Sequence, residues 1–174
     1  MVSQFEILAL CPAVQCYADP LLREGNMKML QRALCVSLVL ASTSVIAGPA
    51  EEAGAVVDQW SATYSANDRD ALVKLYTPDA LLLGTTDQVA TRGTEAIREY
   101  FVALEKGGRR NAIKEKDTIV LGDNAVVVAG FYDFSRKEQN YEPRPSRYTM
   151  VIVKRDGRWM IAHHHSSPRA ATRQ

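Results

Sequence analysis

The stretch SRYTMVIVKRDGRWMIAHHHSS, residues 146–167, decides the fold. Two runs rich in Val, Ile and aromatic residues flank Asp156-Gly157. Asp-Gly between such runs is a strong signal for a tight two-residue hairpin. Ser146 to Lys154 and Arg158 to Ser167 are therefore read as the last two strands. Working backwards, Ala125 to Phe134 is a third run of Val and aromatics. It is separated from the hairpin by the polar loop Ser135 to Pro145. Ile113 to Leu121 makes a fourth, joined to the third through the turn cluster Gly122-Asp123-Asn124. The C-terminal half is thus a four-stranded antiparallel meander, and Pro168 to Gln174 reads as a frayed tail.

Upstream of the meander the period changes. Ala53, Val57, Trp60 and Tyr64 recur at spacings of four, three and four, which places them on one helix face. Pro49 and Glu51-Glu52 suit the first turn of that helix, where proline fits and acids meet the positive end of the dipole. Asn67-Asp68 breaks and recaps the chain. Leu72, Leu75 and Tyr76 mark a short second helix ended by Pro78. Ala80 to Leu83 reads as a short buried strand, followed by the turn Gly84-Thr85-Thr86-Asp87, with Val89 to Arg92 pairing back. Gly93-Thr94 opens a third helix with Ile97, Phe101 and Leu104 as its stripe, stopped by Gly107-Gly108. Helices grouped before strands indicate an α+β domain with helices on one sheet face.

The first 47 residues read differently. From Met27, Lys28 and Arg32 supply a positive start, Leu34 to Ala41 an apolar run, and Val45-x-Ala47 a cleavage pattern of compact residues. These are the three parts of a secretory signal. The apolar run is shorter than the ~20 residues that span a bilayer. The expectation is an upstream gene-model extension over residues 1–26, a signal peptide over 27–47, and one domain over 48–174, periplasmic or secreted. Cys11, Cys16 and Cys35 all precede Gly48. From Gly48 onward, disulfides, a thiolate nucleophile and Cys-ligated zinc are therefore excluded. Formal net charge is +1 with mixed signs along the chain. That is no footprint for nucleic acid or for a membrane surface after signal cleavage.

The order of elements and several local motifs resemble the nuclear transport factor 2-like (SnoaL-like) superfamily. They come nearest to the association domain of calcium/calmodulin-dependent protein kinase II and its bacterial stand-alone relatives. The residues that carry the resemblance are Asn67-Asp68, Tyr76-Thr77-Pro78-Asp79-Ala80, Gly93, Leu121 to Ala125, Lys154 to Trp159, and His163-x-His165-Ser166-Ser167, spanning about residues 53 to 167. The resemblance implies a cone, a curved antiparallel sheet wrapped against three helices with a pocket at the wide end, and assembly into homodimers or larger rings. It does not imply kinase activity. The chain shows no Gly-rich phosphate loop, and Arg155-Asp156-Gly157 is a hairpin turn. The hub's pocket carries arginines; the corresponding position in the Ala125–Phe134 strand is Tyr132 here.

All three histidines are consecutive, His163-His164-His165. In a regular strand His163 and His165 share a face with Ile161, and His164 faces the other way with Met160 and Ala162. Three readings stand. His163 and His165 line a pocket, binding an acidic ligand or moving a proton, since His titrates near neutrality. They bind a metal with a third ligand from Asp79, Glu115 or Asp133. Or they serve the sheet or a subunit interface. The pocket reading, with no metal and no cofactor, is the expectation. Tyr64, Tyr132, Arg147, His163 and His165 are its ligand-binding set; His163, His165 and Asp133 are its candidate catalytic groups. Arg147 could hold a carboxylate through its planar fork. Asp58 and Asp79 are further acids, each also read as a cap, turn or solvated charge. Trp60, Tyr64, Tyr76, Tyr100, Phe101, Tyr132 and Trp159 are expected to fill the helix–sheet space. Ser166 and Ser167 carry no nucleophile-elbow signal. The expected function is an exported homo-oligomeric module for a small apolar or acidic ligand. The rivals are a cofactor-free isomerase- or cyclase-type enzyme and a pure oligomerisation domain.

Overall fold

A computed structural model describes residues 47–170. The expected upstream extension and all of the expected signal but Ala47 lie outside the described residues. Helix α1 spans Pro49–Ala66, with Pro49 at its start and Glu51 and Glu52 in the first turn. Its chain turns at Asn67, which takes the left-handed conformation (φ 61°) that asparagine tolerates. Asp68 then caps α2 (Arg69–Val73), its carboxylate accepting from the Ala71 N–H at 2.9 Å. The buried stripe of α1 is the expected one, with Ala53, Val57, Trp60 and Tyr64 all inside.

Strand β1 runs Tyr76–Leu83 and corrects one expectation. Leu75 and Tyr76 do not extend the second helix. The restriction that Pro78 puts on its predecessor disfavours helix at Thr77, and the chain is already extended from Tyr76. β2 is the two-residue Thr91–Arg92, paired antiparallel with Leu82 and Leu81. Gly93 (φ 81°) leads into α3 (Thr94–Tyr100), and a 3-10 turn at Val102–Lys106 ends on Gly107 (φ 67°). Then come β3 (Arg109–Gly122), β4 (Ala125–Arg136), β5 (Arg144–Arg155) and β6 (Arg158–Pro168). The Asp156-Gly157 turn has positive φ at both residues (51° and 76°), as a hairpin of this length demands. Pro168 belongs to β6, and the Arg169 N–H bonds Pro145 O at 2.9 Å, so the tail is tied down that far.

The six strands form one sheet in the order β2-β1-β6-β5-β4-β3. The meander β3 to β6 is antiparallel as expected; β1 departs by running parallel to β6. The helices cover one face. There Trp60, Leu72, Leu82, Ile97, Met150, Ile152 and Ile161 are almost fully excluded from solvent. On the other face Val127, Ala129, Phe131, Val151 and Val153 are half-buried. No helix among the described residues covers them.

Two of the sheet's register shifts stand out. In β3 the pairing with β4 slips between Ile113 and Glu115. Gly130 sits opposite, and a Cβ there would lie 2.0 Å from Glu115 O. The close approach of the two backbones therefore requires glycine. In β6 the register with β5 shifts between Ile161, which pairs with Ile152, and His163, which pairs with Val151. Ala162 is one residue too many and forms a bulge.

Candidate functional site

The bulge decides which histidine faces the helices. Past Ala162 the alternation resumes in opposite phase, so His164 joins Ile161 on the inner face and is buried to 2% exposure. His163 and His165 face outward, the reverse of the expectation from a regular strand. A one-residue insertion exchanges the two faces of everything beyond it. Nothing in the run of three histidines marks where that insertion falls.

Between the helices and the inner ends of β4, β5 and β6 lies a cavity of about 770 Å³. Trp60, Tyr132, His164 and Ser166 form its floor; Tyr64, Tyr100, Phe101 and Phe134 stand around it. The rings are packed against one another. Trp60 meets His164 edge-on at 5.0 Å between centroids and stacks on Tyr132 at 6.0 Å. Tyr132 and Phe134 lie 4.7 Å apart. At Gly84, where β1 leaves the cavity wall, a Cβ would sit 2.4 Å from the Tyr100 ring and would displace it.

The floor is hydrogen-bonded throughout. The Trp60 indole N–H donates to the Tyr76 hydroxyl at 2.8 Å. Tyr76 Oη lies 2.9 Å from His164 Nδ1, and Tyr132 Oη lies 3.3 Å from His164 Nε2. Ser166 adjoins the Tyr132 hydroxyl and is itself hydrogen-bonded to Thr85 on the turn after β1. Burial pushes the His164 imidazole down to about 3, helped by the neighbouring His163 and His165, so the ring is neutral across the physiological range. Burial likewise raises the phenols of Tyr76 and Tyr132, which stay protonated.

The mouth is cationic. Arg109 opens β3, Arg136 closes β4 directly opposite it, and Arg144 opens β5 opposite Phe134. The register therefore brings three guanidiniums to one end of the sheet, at the cavity rim. Arg109 donates to Ala103 O at 3.2 Å and adjoins the Tyr64 hydroxyl. Among the described residues none of the three has a carboxylate partner within salt-bridge distance; the carboxylate in the lining is Asp87, exposed on a turn.

Of the residues singled out in the sequence, Tyr64 and Tyr132 line this cavity. Arg147 and His165 meet instead in an outer cleft of about 330 Å³ that also holds Glu115, Asp117 and Phe131. His163 is half-buried on that face beside Leu81, where burial and His165 lower its pKa. Asp133 lies 3.5 Å from Lys114 and is not part of the cavity lining. Asp58 pairs with Lys116 at 2.5 Å. Asp79 is held by a two-pronged Arg155 contact that lowers its carboxyl to about 2. No group of three metal-ligating side chains occurs among the described residues. Sequence reasoning did not identify His164, Ser166 or the three rim arginines. Arg109 and Arg136 had a signal, each being a basic residue at the end of a strand pair, but only the register places them together.

This is the architecture of the SnoaL-like domain, whose family model matches residues 54–171, and the chain belongs to that family. A Xanthomonas campestris protein, provisionally described as a calcium/calmodulin-dependent protein kinase II association domain, is 32% identical with a TM-score of 0.64, covering 72% of this chain and 94% of its own. A ketosteroid isomerase-like protein from Erwinia carotovora (16% identity, TM-score 0.61, covering 70% and 97%) shares the fold. So does a protein of the NTF2-like family from Streptomyces avermitilis, provisionally described as a dehydratase (14%, 0.63, 70% and 96%). No curated protein matches the chain.

Proposed function

We propose that this chain is an exported, homo-oligomeric module that binds a small organic anion with a flat apolar body. The observation that carries the reading is the convergence of Arg109, Arg136 and Arg144 on the mouth of an aromatic cavity. Guanidinium forks suit carboxylates and phosphates, and the rings below offer stacking area. A cavity of about 770 Å³ is within the range of small-molecule sites. The likeness to an association domain supports self-assembly, as does the half-buried apolar outer face of the sheet. The three-part pattern of residues 27–47 supports export. A proton-transfer enzyme would need a base in the cavity. His164 is neutral and engaged at both nitrogens, and Asp87 is exposed at the rim.

Native mass spectrometry of the protein from its own host reads subunit number, mature mass and any retained ligand together. In calorimetry, benzoate is expected to bind, and R136A/R144A to weaken it at least about 10-fold, as loss of charge-assisted bonds does. Benzylamine binding as tightly as benzoate would sink the anion reading. A monomer, or a mass that includes residues before Met27, would sink the oligomer or export reading respectively.

A further inference from the structure

The floor of the cavity has a fixed hydrogen-bond direction, and that direction selects the ligand. The starting point is unambiguous, because an indole N–H can only donate. Trp60 therefore donates to Tyr76, whose hydroxyl has one proton of its own. Tyr76 is buried at 3% exposure, and the other polar atom on it is His164 Nδ1. Were Nδ1 to carry the proton and donate to Tyr76, the Tyr76 O–H would be buried without an acceptor, which is the costly arrangement. So Tyr76 donates to Nδ1. A neutral imidazole with an accepting Nδ1 carries its proton on Nε2, and Nε2–H donates to Tyr132.

Beyond His164 the count of protons decides the outcome. Tyr132 accepts from His164 Nε2–H, while Ser166 is hydrogen-bonded to Thr85. The Tyr132 proton is therefore not used on His164, and among the described residues its hydroxyl has no other hydrogen-bond partner. Had Tyr132 donated to His164 instead, its hydroxyl would offer the cavity lone pairs alone. Tyr132 lines the cavity, so its O–H is presented to whatever fills it.

We propose that the Trp60–Tyr76–His164–Tyr132 chain locks His164 as its Nε2–H tautomer and makes the cavity floor a hydrogen-bond donor, so that the bound anion carries a carbonyl or ether oxygen at the end remote from its charge. Tyr76 acts here as a positioning residue, through His164. The ligand class rests on the anion reading above; the tautomer does not.

The test has two arms. The chain holds three histidines, so a long-range proton–nitrogen correlation spectrum of the labelled wild-type protein resolves each ring, with His164→Gln giving the assignment. The expected signature for His164 is a protonated Nε2 and an unprotonated Nδ1 at pH 7. A protonated Nδ1, or an average of the two tautomers, overturns the proposal. In the second arm, 4-acetylbenzoate is compared with 4-isopropenylbenzoate, which has the same shape without the oxygen. The ketone is expected to bind about 10-fold more tightly, the scale of one buried hydrogen bond, and Tyr132→Phe to abolish the preference. Equal affinities for wild type overturn the ligand class. Failure of both to bind removes the anion reading and the ligand class with it, while the tautomer still judges the direction of the chain.

Discussion

The two faces of β6 carry the same residue type in opposite circumstances. On the inner face His164 is sealed under Trp60, hydrogen-bonded at both nitrogens and neutral. On the outer face His163 and His165 are separated from it by a single peptide unit each, yet stand half-buried and exposed. The contrast shows that a histidine's chemistry is set by what its face of the sheet packs against, not by its neighbours in the chain. Burial without an ion partner stops the inner imidazole from charging. The outer pair retains access to water.

The comparison breaks most severely if the inner face loses its anchor. Trp60→Ala is expected to cost about 3–5 kcal/mol in urea unfolding, the range for deleting a large buried aromatic, because it also leaves Tyr76 with one partner fewer. A loss below about 1 kcal/mol would mean that the inner packing is not what holds His164. Acid sharpens the comparison next. The unfolded imidazole binds a proton below pH 6.5, while folded His164 does so only near pH 3. Its contribution is therefore intact above pH 6.5 and is lost as pH falls. Between pH 6.5 and 5 the loss is expected to be about 2 kcal/mol, with His163 adding in the same direction. His164→Phe should flatten most of this acid limb; an unchanged slope would place the titration elsewhere. The smallest effect belongs to the outer face. His163→Ala with His165→Ala should shift stability by less than about 1 kcal/mol, as replacements away from sealed networks do. A larger loss would show that the outer pair is structural.

Much of the fold was legible because its signals are local. Proline and acids at the start of α1, Asn67-Asp68 between helices, and Asp156-Gly157 in the last turn each act through their own backbone. The site was less legible because it is made by register. Tyr64 and Tyr132 could be chosen as large aromatics at inward positions. Arg109, Arg136 and Arg144 stand on three different strands and meet only because β3, β4 and β5 pair as they do. His164 was hidden by one extra alanine, and a bulge at Ala162 has no composition to announce it. The pairing of β1 with β6 in parallel was hidden for a similar reason. It depends on where the chain returns after α3, not on the residues of Tyr76–Leu83.

The bulge also leads to a kinetic expectation. If β6 zips onto β5 without it, Ile161 stays in place while His163 and His165 turn inward, so the wrong frame still delivers an imidazole to the core. Most slips of one residue are punished at once by polar groups arriving inside. Here the penalty is deferred until Tyr76 finds no Nδ1 to donate to. Such a near-degenerate pairing is expected to act as a trap, from which the hairpin unzips before β1 docks. Refolding at low denaturant should therefore show a rollover in rate, and deleting Ala162, which removes the choice of frame while leaving His164 inward, should straighten it.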